Sequence, residues 1–440
     1  MVPKPHSLLM TPLDRRCILP DFCRQLPLCI WLVVLALTFS PAVVSAERRG
    51  EPEVGQPLSA WTKGGLDIHH INTGRGDSMF YMLPDGTTLL VDACDGQALP
   101  LPPPFGLPTK PDSSRQGGEW IARYIVRALR NVPEKKIDYA LLTHFHGDHI
   151  GVVTPKSKRS PHGDYWLTGI SEIPEFVPVR RIVDRNWPDY NYPAPLKLEN
   201  YRTFLDWQIA NRGLVVEQFR PGDNDQLVLR HDAAAYPGFE IRNLMSNGRV
   251  WTGKGNGTRE LADVKKGQRL NENQCSIAFR MTYGKFDYFA GGDLDARNSV
   301  LMGGAEPWTD VEPAVASVCG PVDVLKANHH GSWDANSAEF LRLLRPRVIV
   351  VTSRAEGHPG VNTFQRMISK SLWEGPRDIF ITNVTPATRA TTYGLDQAKS
   401  QQGHVVIRVD AGGATYRVYV LDDSDEEQRV KAVFGPYTAG

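Results

Sequence analysis

One short segment, Thr143-His144-Phe145-His146-Gly147-Asp148-His149, holds four side chains that can bind a metal ion. His144 and His146 are two residues apart, so an extended backbone points both to the same side. Asp148 and His149 follow where the chain turns towards a helix, and we expect them to face a second position nearby. Imidazole and carboxylate ligands suit zinc, iron or manganese. The alternative is a polar loop that merely contains three histidines, but this spacing is demanding and the metal site is favoured.

Apolar, strand-like runs lead into this segment and into three further groups of the same chemistry. Residues 137–142 precede the histidines, and other runs end at Asp92, at Asp293 and at the pair His329-His330. A single aspartate after a strand is usually a helix cap or turn residue. Because four runs all end in such groups, the pattern favours strands that bring their ligands to one edge of a sheet.

The remaining patterns predict the elements that position these groups. Strands are expected at 66–71, 79–83 and 88–91, the last two joined by a turn at 84–86. Apolar residues on one face predict a helix over 119–132. Further elements are predicted in the second half of the chain: strands at 276–282 and 285–290, a helix at 338–344, a strand at 347–352, a helix at 361–372 and strands within 403–421.

At these motifs the chain resembles the metallo-β-lactamase superfamily, and within it the branch found in the soluble domain of the competence DNA-uptake protein ComEC. The matching segments occur in the family's order and cover most of residues 66–375. They are His70–Ser78, Leu89–Ala93, His144–His149, Asn273–Ser276, Gly292-Asp293, Lys326–Ser332 and Glu356–Pro359. The resemblance implies an α+β fold, a four-layer αββα sandwich of two sheets inside outer helices.

The resemblance also implies a site for two divalent metal ions, zinc or manganese. By it, His144 and His146 bind one ion, Asp148 and His149 the other, and Asp293 both. His330 is expected to be the remaining ligand and His329 a substrate or supporting contact, although the two roles are open to exchange.

Other residues are expected to support this chemistry. Asp148 is expected to be catalytic as well as a ligand, and His358 to donate a proton to the leaving group or contact substrate. Asp92 is positioned to hydrogen-bond a ligating imidazole and fix its tautomer. The further candidates for supporting or substrate contacts are Asn273, Ser276 and Ser332.

The chain departs from the family at two positions. Many members carry a histidine ligand about twenty residues before the bridging aspartate, whereas residues 271–276 contain none. The ComEC-type branch tends to have Asn-x-x-Ser there, so one ion is expected to have fewer protein ligands, with an amide or water instead. Arg75 stands where the branch usually has glutamine.

The N-terminus has the pattern of an export signal. A basic region and an apolar run from Leu26 to Phe39 precede Val44-Ser45-Ala46, a small-residue cleavage signal. We therefore expect a signal peptide at 1–46, a polar leader at 47–62 and a metallo-β-lactamase-like domain at 63–440 with an insertion at 155–270. An uncleaved anchor is the alternative, but the run is short for a bilayer. Later segments are not apolar enough to span a membrane, which predicts a periplasmic or secreted protein.

Composition and charge limit the partners. The 440-residue chain has a net charge of +1, so there is no bulk electrostatic case for nucleic-acid binding. The insertion does contain basic residues that could contact phosphate, but nearby acidic residues nearly balance them, which favours a solvated mixed surface. These basic residues are Lys156, Lys158, Arg159, His162, Arg180, Arg181 and Arg185. Cys94, Cys275 and Cys319 would remain after cleavage and do not make a disulfide framework.

Three functions are compatible with these observations. The resemblance and the bridging aspartate favour a metal-dependent phosphodiesterase, acting on a small molecule or a short oligonucleotide. The second is hydrolysis of an ester, lactone or β-lactam at the same site. The third is a non-catalytic binding domain, supported by the missing histidine before Asp293. The oligomeric state is open.

Overall fold

The computed structural model describes residues 54–95, 103–132, 134–193, 196–296, 308 and 310–440. The expected signal peptide, and the leader as far as residue 53, lie outside the described residues. Among those described, no helix is both long enough and apolar enough to cross a membrane.

Two large sheets and one small sheet contain the strands of the described chain. The strands are β1 (Leu66–His70), β2 (Met79–Met82), β3 (Thr88–Val91), β4 (Tyr139–Leu142), β5 (Lys158–Arg159), β6 (Trp166–Leu167), β7 (Arg181–Asp184), β8 (Val215–Gln218), β9 (Phe239–Ser246), β10 (Arg249–Trp251), β11 (Thr258–Glu260), β12 (Ala278–Tyr283), β13 (Phe286–Ala290), β14 (Val324–Lys326), β15 (Val348–Val351), β16 (Asp378–Ile381), β17 (His404–Val409), β18 (Thr415–Leu421) and β19 (Val430–Thr438).

The helices lie between these strands. They are α1 (Gly117–Ala128), α2 (Gly147–Ile150), α3 (Glu199–Arg212), α4 (Val311–Cys319), α5 (Ala338–Leu344), α6 (Val361–Ile368) and α7 (Pro386–Thr391).

The two large sheets share one plan. The first has nine strands in the order β19-β18-β17-β1-β2-β3-β4-β7-β8, and the second has eight in the order β11-β10-β9-β12-β13-β14-β15-β16. In each sheet the earlier pairs are antiparallel, and the last four strands are parallel: β3-β4-β7-β8 in the first and β13-β14-β15-β16 in the second. Because parallel strands end at the same edge, residues that follow them are brought together.

Alternation along the strands explains how the layers stack. In β2, Tyr81 points into a core shared by both sheets, whereas its neighbour Phe80 points outwards. The outer face of the first sheet packs on α1 and α3, and that of the second on α4, α5 and α6. This is the expected α+β four-layer αββα sandwich.

The elements near the motifs agree with the sequence patterns to within a few residues. The hairpin of β2 and β3, the helix α5 and the strands of the second hairpin lie where the pattern placed them. The predicted helix 361–372 ends earlier, at Ile368, and the patterns did not indicate β19. Residues 155–270, expected as an insertion, contribute β7 and β8 to the first sheet and β9, β10 and β11 to the second.

Candidate metal centre

The candidate ligands meet where the parallel strands of both sheets end. Asp92 follows β3, and the histidine segment follows β4 and continues into α2. From the second sheet, Asp293 follows β13 and the pair His329-His330 follows β14. The site therefore lies at one edge of the sandwich, with side chains from both sheets.

Asp293 is the centre of this cluster. Its Oδ2 lies 3.1 Å from His149 Nε2 and 3.6 Å from His330 Nε2. The Nε2 atoms of His144 and His329 are each 3.8 Å from the same oxygen. Asp293 is buried, and its Oδ1 has no hydrogen-bond partner. One carboxylate thus faces four imidazoles, which is the position expected of a bridging ligand.

Asp148 forms the second carboxylate of the site. Its Oδ2 lies 3.1 Å from His330 Nε2 and 3.9 Å from His149 Nε2. The Nε of Arg354 lies 2.5 Å from the same oxygen. His330 therefore lies on the same side of the cluster as Asp148 and His149.

His144 lies between the rings of His149 and His146, with centroids 4.1 Å and 4.8 Å away. His144 Nε2 and His146 Nδ1 are 3.1 Å apart, and the two rings meet edge to face. His144 is fully buried, whereas His146 is exposed. The site is therefore open to solvent on the side of His146.

His149 and His330 are each oriented by a carboxylate that contacts Nδ1, while their Nε2 atoms face Asp293. Asp92 Oδ2 lies 2.8 Å from His149 Nδ1, as its strand-end position led us to expect. Asp77 Oδ1 lies 3.0 Å from His330 Nδ1, which also donates to the carbonyl of Thr352. Such partners fix the tautomer that leaves Nε2 free for a metal.

His329 is held in the same manner. Its Nδ1 lies 2.9 Å from Asp334 Oδ1, and its Nε2 lies 3.2 Å from Asn273 Nδ2. Asn273 comes from the segment that lacks the family's histidine, so an amide does stand beside the cluster there. The pair His329-His330 faces the site because both residues have left-handed backbones, with φ of 48° and 53°.

Three further residues predicted to support the site, Ser276, Ser332 and His358, lie around the candidate ligands. Ser276 Oγ lies 3.1 Å from the amide nitrogen of Asp293 and so supports that turn. Ser332 is buried, and its hydroxyl interacts with Asp334 rather than with a candidate ligand. The ring of His358 stacks on His330 with centroids 5.0 Å apart, and its Nδ1 has no hydrogen-bond partner.

The carboxylates and imidazoles strongly perturb each other. Burial opposes ionisation of Asp293 and Asp148, but histidines near both, and Arg354 beside Asp148, hold their pKa values well below the usual range. Burial likewise opposes protonation of His149 and His330, yet the carboxylates raise the pKa of His149 well above its usual value and that of His330 to about 9. The site therefore concentrates negative charge that protons neutralise, and a cation would replace those protons.

The donor set fits divalent cations. Two carboxylates and several imidazoles converge in a buried space, and His149 Nε2 is a buried atom without a hydrogen-bond partner, like Asp293 Oδ1. Nitrogen and oxygen ligands of this kind suit zinc and manganese. The residues placed to hold such a cation are His144, Asp148, His149, Asp293 and His330, with His146 beside His144.

Sequence reasoning missed Asp77, Asp334 and Arg354. Asp77 was read only as part of a turn motif, but one of its oxygens lies within the same 4.8 Å cluster as His149, Asp293 and His330. It also pairs with the fully buried ammonium of Lys326. Arg354 follows β15, so the strand-end signal that identified the ligands was present for it as well.

Gly76 shows how closely the two motifs pack. Its φ is +141°, and a Cβ built on it would lie 2.1 Å from the carbonyl oxygen of Asp148. The same carbonyl accepts a hydrogen bond from the amide nitrogen of Asp77 at 3.0 Å. The glycine therefore allows the turn that carries Asp77 to approach the turn that carries Asp148.

The comparison with protein families agrees with this geometry. Residues 73–174 match the model described as the metallo-beta-lactamase superfamily. That segment is similar to the metallo-beta-lactamase superfamily. The matched segment contains Asp77, Asp92 and the whole histidine segment, whereas Asp293 and the pair His329-His330 lie beyond it. No curated protein matches the chain.

Three solved structures are similar in arrangement. One, described as a metal-dependent hydrolase from Parabacteroides distasonis ATCC 8503, is 13% identical, with 72% of this chain and 92% of that chain covered and a TM-score of 0.32. Human tRNase Z, short form, is 11% identical, with 64% and 91% covered and a TM-score of 0.30. Zinc-bound PqqB from Methylobacterium extorquens is 13% identical, with 65% and 88% covered and a TM-score of 0.31. Likeness at this level says nothing about the substrate.

Proposed function

We propose that this protein is an exported hydrolase that uses two divalent metal ions to cleave phosphodiesters. The observation that carries the proposal is the convergence of Asp148 and four histidines on Asp293, with an arginine at the edge. The motif set that resembles the ComEC-type branch supports a phosphodiester rather than a lactam. The net charge of +1 supports a small phosphodiester or a short oligonucleotide rather than long nucleic acid.

The division of ligands is the one that the resemblance implies, and the contacts of Asp148 with His330 and of His144 with His146 support it. Divalent ions held there would lower the pKa of a bound water molecule and polarise the phosphoryl oxygen. Asp92 and Asp77 keep the rings of His149 and His330 turned towards the site. This arrangement needs no serine or cysteine nucleophile, and the three described cysteines are buried away from such a role.

Arg354 gives the site a preference for anions. Its side chain is 33% exposed, and its Nε already contacts the carboxylate of Asp148. A guanidinium in this place is able to donate two parallel hydrogen bonds to a phosphoryl group. A neutral ester or lactone offers no matching charge, so Arg354 supports the phosphodiester over those alternatives. A β-lactam carries a carboxylate that an arginine can also bind, so Arg354 does not separate it from a phosphodiester.

His358 is placed to contact substrate or to donate a proton to the leaving group. Burial and the neighbouring cationic groups hold the pKa of its imidazole well below the usual value. A neutral ring stacked on His330 is suited to hydrogen-bond a substrate oxygen and to keep His330 in place.

The test is a substrate and metal screen on the full chain. The protein is stripped with a chelator and assayed with bis(p-nitrophenyl) phosphate, dinucleotides, nitrocefin and a lactone series, with zinc or manganese added back. We expect metal-dependent turnover of the phosphodiesters, lost in Asp148→Asn. Efficient lactam or lactone turnover with none on any phosphodiester would favour the second function. Absence of tightly bound metal would favour a binding domain.

Export is tested separately. The basic region, the apolar run and the Val44-Ser45-Ala46 signal support cleavage after Ala46. N-terminal sequencing of the protein from its native host should begin near Glu47. An intact Met1 on a cytosolic protein would contradict export without affecting the metal site.

A further inference from the structure

Arg185 is a buried cation that the proposed chemistry does not use. It directly follows β7, and its side chain is 0% exposed. Its Nε donates to Glu272 Oε1 at 3.0 Å, and its Nη2 donates to Glu272 Oε2 at 2.5 Å. Its Nη1 donates to the carbonyl of Tyr192 and to Asn247 Oδ1, each at 2.9 Å. A solvated surface, the interpretation that its sequence neighbourhood favours, is therefore wrong for Arg185.

A buried arginine of this kind calls for a reason. Removing two charges from water is costly, and a fully buried pair is not by itself a source of stability. Each hydrogen bond that this guanidinium donates goes to an oxygen, so its polar contacts are satisfied. The pair contacts Tyr192 and Asn247 as well as Phe145 of the histidine segment, which points to a role in fixing that segment in place.

Glu272 connects Arg185 to the histidine segment. Its Oε1 also accepts a hydrogen bond from the amide nitrogen of Phe145 at 2.8 Å. Phe145 stands between His144 and His146, and its ring lies under the guanidinium of Arg185, 4.6 Å from centroid to carbon. The pair therefore holds the residue between the two histidines both by its backbone and by its ring.

A second carboxylate, that of Asp92, fixes the histidine segment two residues earlier, at Thr143. Asp92 Oδ1 accepts from the amide nitrogen of Thr143 at 2.8 Å. The amides of residues 143 and 145 are thus each fixed by a buried or half-buried carboxylate, one from each sheet. Because side chains alternate along an extended segment, fixing these amides sets the direction in which His144 and His146 leave the backbone.

We propose that Arg185 and Glu272 are positioning residues for the ion that His144 and His146 hold. The inference rests on the proposed function only in that these histidines bind metal. Glu272 lies in the segment that lacks the family's histidine ligand. On this proposal, that segment contributes to the metal centre through the backbone of Phe145 as well as through Asn273.

The experiment compares metal binding in the unsubstituted chain, Glu272→Ala, Glu272→Gln and Arg185→Lys. The matched control is Glu217→Ala on β8. It removes the ion pair of Glu217 with Arg181, which lies at the start of β7, the strand that Arg185 follows. Affinities for zinc are measured by competition with a chromophoric chelator. The absorption bands of the cobalt-substituted proteins report ligand geometry. Thermal melts report folding.

We expect Glu272→Ala to weaken one of the two binding steps by about 10–100-fold, as loss of an orienting partner does. Its cobalt spectrum should change, and the second step should be kept. Glu272→Gln retains an oxygen acceptor for Phe145 and should lose less. Arg185→Lys cannot form the paired hydrogen bonds and should shift the spectrum in the same direction, which keeps the test available if the alanine variant does not fold. The control should match the unsubstituted chain.

Folded variants with unchanged affinities and cobalt spectra, and only lower melting temperatures, would overturn the positioning role and leave the proposed function intact. An unsubstituted chain that binds no metal would overturn both. Equal losses in the Glu217→Ala control would also overturn the inference, because the effect would then come from general loosening of β7.

Discussion

Replacement of Asp92 by asparagine tests whether a buried carboxylate tunes a metal ligand. Asp92 is fully buried, and its Oδ2 lies 2.8 Å from His149 Nδ1 and accepts from Thr143 Oγ1 at 2.7 Å. Asparagine keeps the shape, tolerates the left-handed backbone at φ of 58°, and keeps one oxygen for the amide of Thr143. The charge opposite His149 is lost, and an amide group that donates can take the place of an acceptor.

The magnitude follows from that one charge-assisted contact. A hydrogen bond to a charged group is worth about 1.5–3 kcal/mol. Loss of such a partner behind a metal-bound histidine costs about 10–100-fold in metal affinity, or about 1.4–2.7 kcal/mol. Burial raises the pKa of Asp92 itself, which offsets part of the cost that the metal-free fold bears when this charge is removed.

The assay is zinc competition with a chromophoric chelator, with thermal melts of the metal-free proteins. The control is Asp85→Asn at the far end of the same hairpin, where the carboxylate accepts from the amides of Thr87, His231 and Asp232. We expect weaker zinc binding in the Asp92 variant and none of that change in the control. An unchanged zinc Kd together with a fall in metal-free stability would refute the reasoning, because Asp92 would then be structural.

Three further predictions concern metal content, packing and pH. His146→Ala and Asp293→Ala should each lower the bound metal, measured by elemental analysis, while the melting of the metal-free chain stays cooperative; unchanged stoichiometry in both would remove these ligands from the site. Gly76→Ala should destabilise the fold by at least about 2 kcal/mol in urea, because its Cβ would lie 2.1 Å from the carbonyl of Asp148. Burial, then Asp95 and other acidic neighbours, raise the pKa of Glu172 from 4.5 to about 7. Between these pH values the folded chain keeps a proton that the unfolded chain loses, so the free energy of unfolding falls as the pH rises from 4.5 to about 7. Glu172→Gln should therefore gain at most about 3 kcal/mol at pH 8 and nothing at pH 4, and equal effects at both would contradict the assignment.

The sequence predicted those parts of the fold and site that depend on local pattern. Strand periodicity located β2, β3 and β4, and because parallel strands end together, the groups after them were expected at one edge. Asp77 acts on His330, which lies 253 residues further along the chain, and no local pattern indicates such a pairing. Asp334 lies only five residues after His329, but its contact depends on the left-handed turn at His329 and His330, which the pattern did not indicate. The burial of Arg185 was missed for the same reason as the role of Asp77, since Glu272 lies 87 residues away from it.

The sequence pattern also did not predict that both His329 and His330 face Asp293. Alternation in an extended segment sends neighbouring side chains to opposite sides. Here two consecutive left-handed residues bring both rings to the same carboxylate, and that conformation is disfavoured for residues other than glycine and asparagine.

These backbone conformations have a consequence for how the protein would change under selection. Asp92, His329 and His330 all have positive φ, and each such residue costs about 1–3 kcal/mol that the surrounding packing must offset. Glycine at either histidine position would relieve that strain and remove a ring from the cluster. Selection for heat resistance alone would therefore favour variants that are more stable and no longer assemble the centre, whereas selection that also demands metal binding would retain the strained pair.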